Sequence, residues 1–300
     1  MSPQVVVALQ DESQEYHRSQ AANAREAAAR AGLTIEVVFA ENNAVLQIHQ
    51  VFKHVHAPEG QRPLAIVVHS VTGEGLARVA RGAVAARIGW FILNRRVDYL
   101  DGLRGQHPDL PVGCVTPDQE EIGRIHARQA LKLTPGGGLL LYVQGAPDTS
   151  AAQDRLRATR ESLGEVSFRW KVVNGDWTER SGESAVAAWL KLTTAERPAL
   201  VVAQSDAMAV GVRRALVRHD GSWSGVPVLG CDGHVDGGQR LVAAGELAAT
   251  IVMPPTAGAA VEFVARWLSD RQPPPPRVVL PPSSYPPEAQ LRVRTAGRPG

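Results

Sequence analysis

The sequence predicts an α/β protein of two doubly wound, Rossmann-like parallel-sheet lobes. Three observations carry this. Short apolar runs such as Leu200-Val201-Val202-Ala203 lack the alternation of a half-exposed strand, as strands buried on both faces do. A polar corner and then a helical pattern follow each run: after Gln204-Ser205-Asp206, Met208, Val212, Ala215 and Leu216 fall on one helix face. The unit recurs roughly ten times, more strands than one sheet holds comfortably, which implies two lobes with a cleft between them.

In chain order, strands are expected over Val5–Leu9, Thr34–Phe39, Leu64–Val68 and Trp90–Leu93. Between them, helices are expected over Tyr16–Ala31, from an Asn cap at Asn42-Asn43 through Phe52, and over Glu74–Ala86. Pro111–Val115 is strand-like, and Thr116-Pro117-Asp118-Gln119 reads as a capping box opening a helix to Leu131. After the turn at Pro135–Gly138 comes a strand over Leu139–Val143. Ser150 and Gln153 form a second capping box for a helix to Leu163. A strand over Val166–Val173 and a helix over Thr178–Lys191 lead to the Leu200 strand, whose helix Ser205 or Asp206 caps. Then come strand Val226–Gly230, helix Gly237–Ala244, strand Ala249–Val252, helix Thr256–Leu268 and a last strand, Arg277–Leu280. The Pro- and charge-rich tail from Pro281 is expected to end loosely.

Composition narrows the function classes. The chain has 300 residues, 44% hydrophobic and 21% charged, with net charge +2, as a soluble globular protein would. With no basic block, nucleic acid is not a partner. With no 18-residue apolar run, membrane insertion is not expected. Cys114 and Cys231 end apolar runs and read as buried free thiols. No Gly-rich phosphate loop follows a strand, no GxSxG or HExxH occurs, and no His pairs with Cys at zinc spacing. No cofactor, metal or catalytic set is therefore assigned.

The polar residues gather after the strands, where ligands sit in open α/β sheets. They are Gln10, Asp11, Tyr16 and His17; Asn94-Arg95-Arg96; Asp118-Gln119; Asp148-Thr149-Ser150 with Arg155; Asp176-Trp177; Ser205-Asp206; and Asp232. Planar amides, carboxylates and guanidinium groups bind vicinal hydroxyls, and aromatic faces stack on C–H faces, so the set suits a polyol. Each residue has a plainer reading. Ser205, Asp206, Asp118 and Gln119 serve as helix caps, Arg95 pairs with a surface carboxylate, Trp177 fills a core or lid, and His17 sits on a solvated helix surface.

Five stretches in this order carry a resemblance: Ile92–Arg96 (ILNRR), Thr116–Arg124 (TPDQEEIGR), Asp148–Arg155 (DTSAAQDR), Ala203–Gly211 (AQSDAMAVG) and Leu229–Ile251 (LGCDGHVDG…GELAATI). The chain resembles the type I periplasmic sugar-binding proteins, the ribose-binding group, which share their fold with the effector domains of lac-repressor-type regulators. The resemblance runs from Val5 to about Leu280. It implies that Asn94 and Arg95 occupy the family's acid–Arg pair, Gln119 its amide and Trp177 its aromatic, and that the family's sugar-binding Arg falls at Gln153 or Arg155, of which only Arg155 keeps the guanidinium. It further implies that Ser205 stands for an Asn, that Asp232 is the Asp of the Gly-Phe-Asp-Gly corner, and that Tyr16 and His17 stand for the first-loop aromatics. Met253 lies where ribose binders carry Gln. Asn94, Ser205 and Met253 remove hydrogen-bonding capacity for a small aldopentose and leave the polar ligand class. The implied topology crosses between lobes three times, with one lobe at 1–116 plus 254–276 and the other at 117–253 plus 277–300, joined by a three-segment hinge.

The expected function is that of a non-enzymatic solute-binding protein. It captures a sugar or polyol between closing lobes and presents the closed form to a transporter permease or a sensor. The alternatives are a cytoplasmic ligand-sensing module without its own DNA-binding domain and, more weakly, an α/β enzyme using Asp118, Asp206 or Asp232 as acid or base. Read from Met1, the chain opens without a secretory signal, which places it in the cytoplasm; a periplasmic location requires a signal removed ahead of Met1.

Overall fold

The computed structural model describes residues 4–72, 75–164, 168–192 and 196–292. The strands are β1 (Gln4–Leu9), β2 (Thr34–Phe39), β3 (Ala65–Val68), β4 (Gly89–Leu93), β5 (Val112–Pro117), β6 (Gly138–Gln144), β7 (Phe168–Asn174), β8 (Leu200–Ala203), β9 (Val228–Leu229), β10 (Thr250–Val252), β11 (Arg277–Leu280) and β12 (Ser283–Tyr285). The helices are α1 (Glu15–Ala31), α2 (Ala44–Val55), α3 (Ala77–Ala85), α4 (Leu100–Gln106), α5 (Gln119–Leu133), α6 (Ser150–Leu163), α7 (Glu179–Leu192), α8 (Asp206–His219), α9 (Arg240–Ala243) and α10 (Ala257–Asp270). Among the described residues no helix is long and apolar enough to cross a membrane.

The chain divides into two units, Met1–Pro117 with Pro254–Leu280 and Asp118–Met253 with Pro281–Gly300. The first unit holds a six-stranded sheet in the order β11-β5-β4-β3-β1-β2, parallel throughout. Strand periodicity assigns its two cores. Val6 and Ala8 of β1 face one core with Val51 of α2 and Val79, Ala80 and Ala83 of α3. Val5, Val7 and Leu9 face the other, with Ala21, Ala24, Ala27 and Ala28 of α1 and Ala260, Val261 and Val264 of α10. Each fully buried Val or Leu contributes about 1.5–3 kcal/mol, so the doubly covered strands fix the order of the sheet.

The second unit holds a parallel sheet in the order β7-β6-β8-β9 and an antiparallel pair, β10 with β12. Leu141, Val143, Val201 and Ala203 face α7 and α8. Leu140, Tyr142, Leu200 and Val202 face α5 and α6.

Several elements differ from expectation for local reasons. Asp118, not Thr116, caps α5 by accepting from the Glu121 N–H at 2.9 Å, because Thr116 and Pro117 are held in β5. Thr149, not Ser150, caps α6 through the Ala152 N–H, and Gln153 bonds to the Pro147 carbonyl instead. Asn43 caps α2, and Ser205 caps α8 through the Met208 N–H. The stretch expected as helix Gly237–Ala244 is one π-turn, Val235–Gln239, broken at Gly237, followed by the short α9. Helix α4 and strand β12 were not anticipated. The start of the expected strand Val166–Val173, residue Glu74 of an expected helix and the last residues of the tail lie outside the described residues. The assignment of 277–300 to the second lobe is corrected at its start: Arg277–Leu280 bonds to β5 in register Arg277–Cys114 through Leu280–Pro117, which puts it in the first unit's sheet.

Candidate functional site

In the first unit, the polar residues beyond the carboxyl ends of β1, β3 and β4 form one buried group. Tyr16 and His17 come from the first turn of α1, His69 and Ser70 directly follow β3, and Asn94 and Arg95 directly follow β4. The rings of Tyr16, His17 and His69 meet edge to face, with centroids 5.1–5.9 Å apart. Asn94, in a left-handed conformation (φ 63°), donates to the Tyr16 hydroxyl. Its Oδ1 lies 3.0 Å from Thr256 Oγ1. An amide can do both, whereas a carboxylate could only accept. Arg95 donates to the Val71 carbonyl at 3.2 Å and is 4% exposed, so it does not lie on a solvated surface.

His17 is also not on a solvated surface, being 2% exposed. Its Nδ1 sits between the backbone N–H (3.3 Å) and carbonyl (3.1 Å) of Asp11. Burial pushes its pKa down to about 4, and the nearby Arg95 charge works in the same direction, so the ring is neutral at pH 7. His69 and Ser70 were missed at the sequence level. The signal for them was position alone, since they stand at the end of β3 as Asn94 and Arg95 stand at the end of β4.

In the second unit Arg155, 4% exposed, is the hub. Its Nε donates to Gln119 Oε1 at 2.7 Å, and one terminal nitrogen donates to the Gln204 carbonyl at 2.8 Å and faces Cys231 Sγ at 3.6 Å. The other terminal nitrogen lies 3.1 Å from Met253 Sδ, and the guanidinium carbon lies 5.5 Å from the centre of the Trp177 ring. Thus Gln119, Arg155, Trp177 and Met253 come together from α5, α6, the loop after β7 and the end of β10. Gln204 locks the surrounding turn, donating to Tyr142 Oη and the Ala152 carbonyl and accepting from the Gly145 N–H.

Gly123 of α5 makes the Arg155 position possible. A Cβ there would stand 2.5 Å from the Arg155 carbonyl oxygen and 2.7 Å from Ala158 Cβ, so only glycine lets α6 approach this closely.

The Ser205 hydroxyl is spent within the unit, accepting from the Met208 N–H at 3.2 Å and donating to the Trp177 carbonyl at 3.3 Å. Asp206 is likewise structural. Its carboxylate accepts from the Gly233 N–H at 2.8 Å and from Thr250 Oγ1 at 2.6 Å, tying down the corner that carries Asp232. Gly233 has φ +65°, and a Cβ on it would stand 2.5 Å from Val252 Cα. Asp232 is partly exposed with φ 130°, held by its N–H to the Ile251 carbonyl and by the Met253 N–H to its own carbonyl. Both cysteines are free and buried. Burial pushes the Cys114 thiol up to about 11 and raises that of Cys231 further.

The family model for the periplasmic binding protein domain matches residues 5–270. No curated protein matches the chain in sequence. Among solved structures, a galactofuranose-binding protein is 21% identical, with 94% of each chain covered and a TM-score of 0.81. The Caulobacter myo-inositol-binding protein, bound to myo-inositol, is 21% identical over 94% of this chain and 92% of its own, with a TM-score of 0.78. An ABC transporter periplasmic solute-binding protein from Actinobacillus succinogenes 130z with bound D-allose is 21% identical over 96% and 99%, with a TM-score of 0.81. With two parallel-sheet units and three chain crossings in the same fold as these proteins, the chain belongs to the periplasmic binding protein family, of the type I fold.

Proposed function

We propose that this protein binds a small polyhydroxylated solute, a sugar or polyol, without transforming it, and presents the loaded form to a membrane transporter. The observation that carries the reading is where the buried polar side chains lie. In each unit they cluster beyond the carboxyl ends of parallel strands, with a guanidinium and an aromatic ring in each cluster: Arg95 with Tyr16, His17 and Asn94, and Arg155 with Gln119 and Trp177. In this reading Asp232 supplies the carboxylate that accepts from ligand hydroxyls, and Met253 borders the same ligand. Ser205 acts by holding the Trp177 backbone rather than by touching ligand. The sugars and the inositol bound by the structural neighbours support the ligand class, and the transporter of the allose-binding neighbour supports the partner.

A thermal-shift screen against furanoses, pyranoses, inositols and amino acids tests this. A ligand that binds only the folded form at a hundred times its Kd adds about 2.7 kcal/mol of stability, which appears as a rise in Tm. A sugar or polyol hit, recovered unchanged after incubation, is the expected result. Hits confined to amino acids would overturn the ligand class, and conversion of the bound sugar would overturn the non-enzymatic reading.

A further inference from the structure

We propose that the ligand carries an acidic group, a carboxylate on a polyhydroxylated skeleton, seated against Arg155 and Trp177. This rests on the solute-binding reading above and narrows its ligand class to sugar acids.

The first support is the partner set of Arg155. The guanidinium has five N–H donors, and its side chain is buried. Its contacts are an amide oxygen, a backbone carbonyl, a thiol, a thioether and an indole ring. Among the described residues none of these is charged. Its two terminal nitrogens both face sulfur, a weak acceptor, and one of them has no other hydrogen-bond acceptor among the described residues. A cation held out of water is costly unless an anion meets it.

The second support is independent. The Trp177 Nε1–H is buried and has no hydrogen-bond partner among the described residues, although its ring lies against the same guanidinium. Two neighbouring groups therefore hold donors without adequate acceptors. The carboxylates of this region do not answer them. Asp206 is engaged by the Gly233 N–H and Thr250, and the acceptors that Arg155 reaches among the described residues are the neutral ones named above. A ligand hydroxyl would bring a hydrogen needing an acceptor of its own. A carboxylate brings acceptors only, together with the missing negative charge. One guanidinium matches a monoanion better than a phosphate dianion.

The test is calorimetric titration of the intact protein at pH 7.5 with aldonates and uronates of the common pentoses and hexoses. The parent neutral sugars, the matching alditols and the sugar phosphates run beside them. The expected result is an acid that binds at least about tenfold tighter than its neutral parent, as a hydrogen bond to a charged group supplies. Trp177→Phe, which keeps the ring and removes the N–H, weakens that acid by about tenfold or more. Thermal melts of the ligand-free variant check that it is folded. Equal or tighter binding of the neutral parent overturns the acidic group while leaving the solute-binding reading standing. Tighter binding of a phosphate overturns the carboxylate. Unchanged acid affinity in Trp177→Phe overturns the seat beside Trp177. Silence across acids, neutral sugars and alditols alike overturns both readings.

Discussion

His126 offers a quantitative test of how the second unit is held together. It lies on α5 with no exposed surface, and its Nε2 is 3.1 Å from the Gly230 carbonyl, at the corner leading to Asp232. Its Nδ1 is buried without a partner among the described residues, so the ring is neutral and Nε2 carries the proton. Burial, helped by the Arg155 charge, pushes its pKa down from 6.5 to about 4. A lowered folded-state pKa means that the unfolded chain takes up the proton first as the pH falls. Stability is therefore complete above about pH 6.5 and is lost progressively toward pH 4, by about 2 kcal/mol at pH 5 from this group alone. His126→Gln keeps an N–H donor in reach of Gly230 and cannot titrate. Urea unfolding at pH 8 and pH 5, followed by circular dichroism and tryptophan fluorescence, should show the wild type losing about 2 kcal/mol more than the variant. His17 is present in both proteins, so its own acid sensitivity cancels. Parallel stability–pH curves for the two proteins would refute the reasoning.

Further outcomes follow from the same geometry. Asp206→Ala removes the acceptor of two buried hydrogen bonds and should destabilise the protein by about 3 kcal/mol or more in urea titrations; a loss below 1 kcal/mol, read the same way, would show the Gly230–Gly233 corner holding by itself. Cys114 and Cys231 are buried with raised pKa values, so a thiol reagent at pH 8 should label neither in the native protein and both in denaturant. Asp232→Ala should weaken the best ligand of the thermal-shift screen by about a hundredfold, the worth of two charge-assisted hydrogen bonds, and unaltered affinity would remove Asp232 from the site.

The fold was largely legible because its strands are covered on both faces. Val5–Leu9 and Leu200–Ala203 are unbroken apolar runs that helical surface cannot imitate for so few residues, and every residue in them is buried. Caps were legible only to within a residue or two. Thr116 and Asp118, or Thr149 and Ser150, compete for one role, and the choice depends on where the preceding backbone is already bonded. The boundary at Leu280 was missed because the expected strand Arg277–Leu280 carries no mark of which sheet it joins, and Pro281-Pro282 hides the short strand Ser283–Tyr285 that follows. At the candidate site, Arg95, Gln119 and Arg155 stand out by residue type beside a strand end. His69 and Ser70 do not, since only the packing of the Tyr16 and His17 rings against His69, and the Gln10 amide on the Ser70 carbonyl, brings them into the group. Ser205 shows the reverse limit: its type suits a ligand contact, but two local hydrogen bonds consume it.

If Arg155 and Gln119 hold the solute as proposed, the Gly123 contact makes affinity sensitive to positions that never meet it. The guanidinium hangs from α6 while its amide partner Gln119 opens α5, so the spacing of the two helix axes sets how the pair is aimed. A methyl group at position 123 would push that spacing outward and swing the donors away from their target, with no polar contact deleted. Selection for altered solute preference should therefore return substitutions along the seam between α5 and α6 as well as at the strand ends. The seam works as a coarse adjustment, and the corner residues as the fine one.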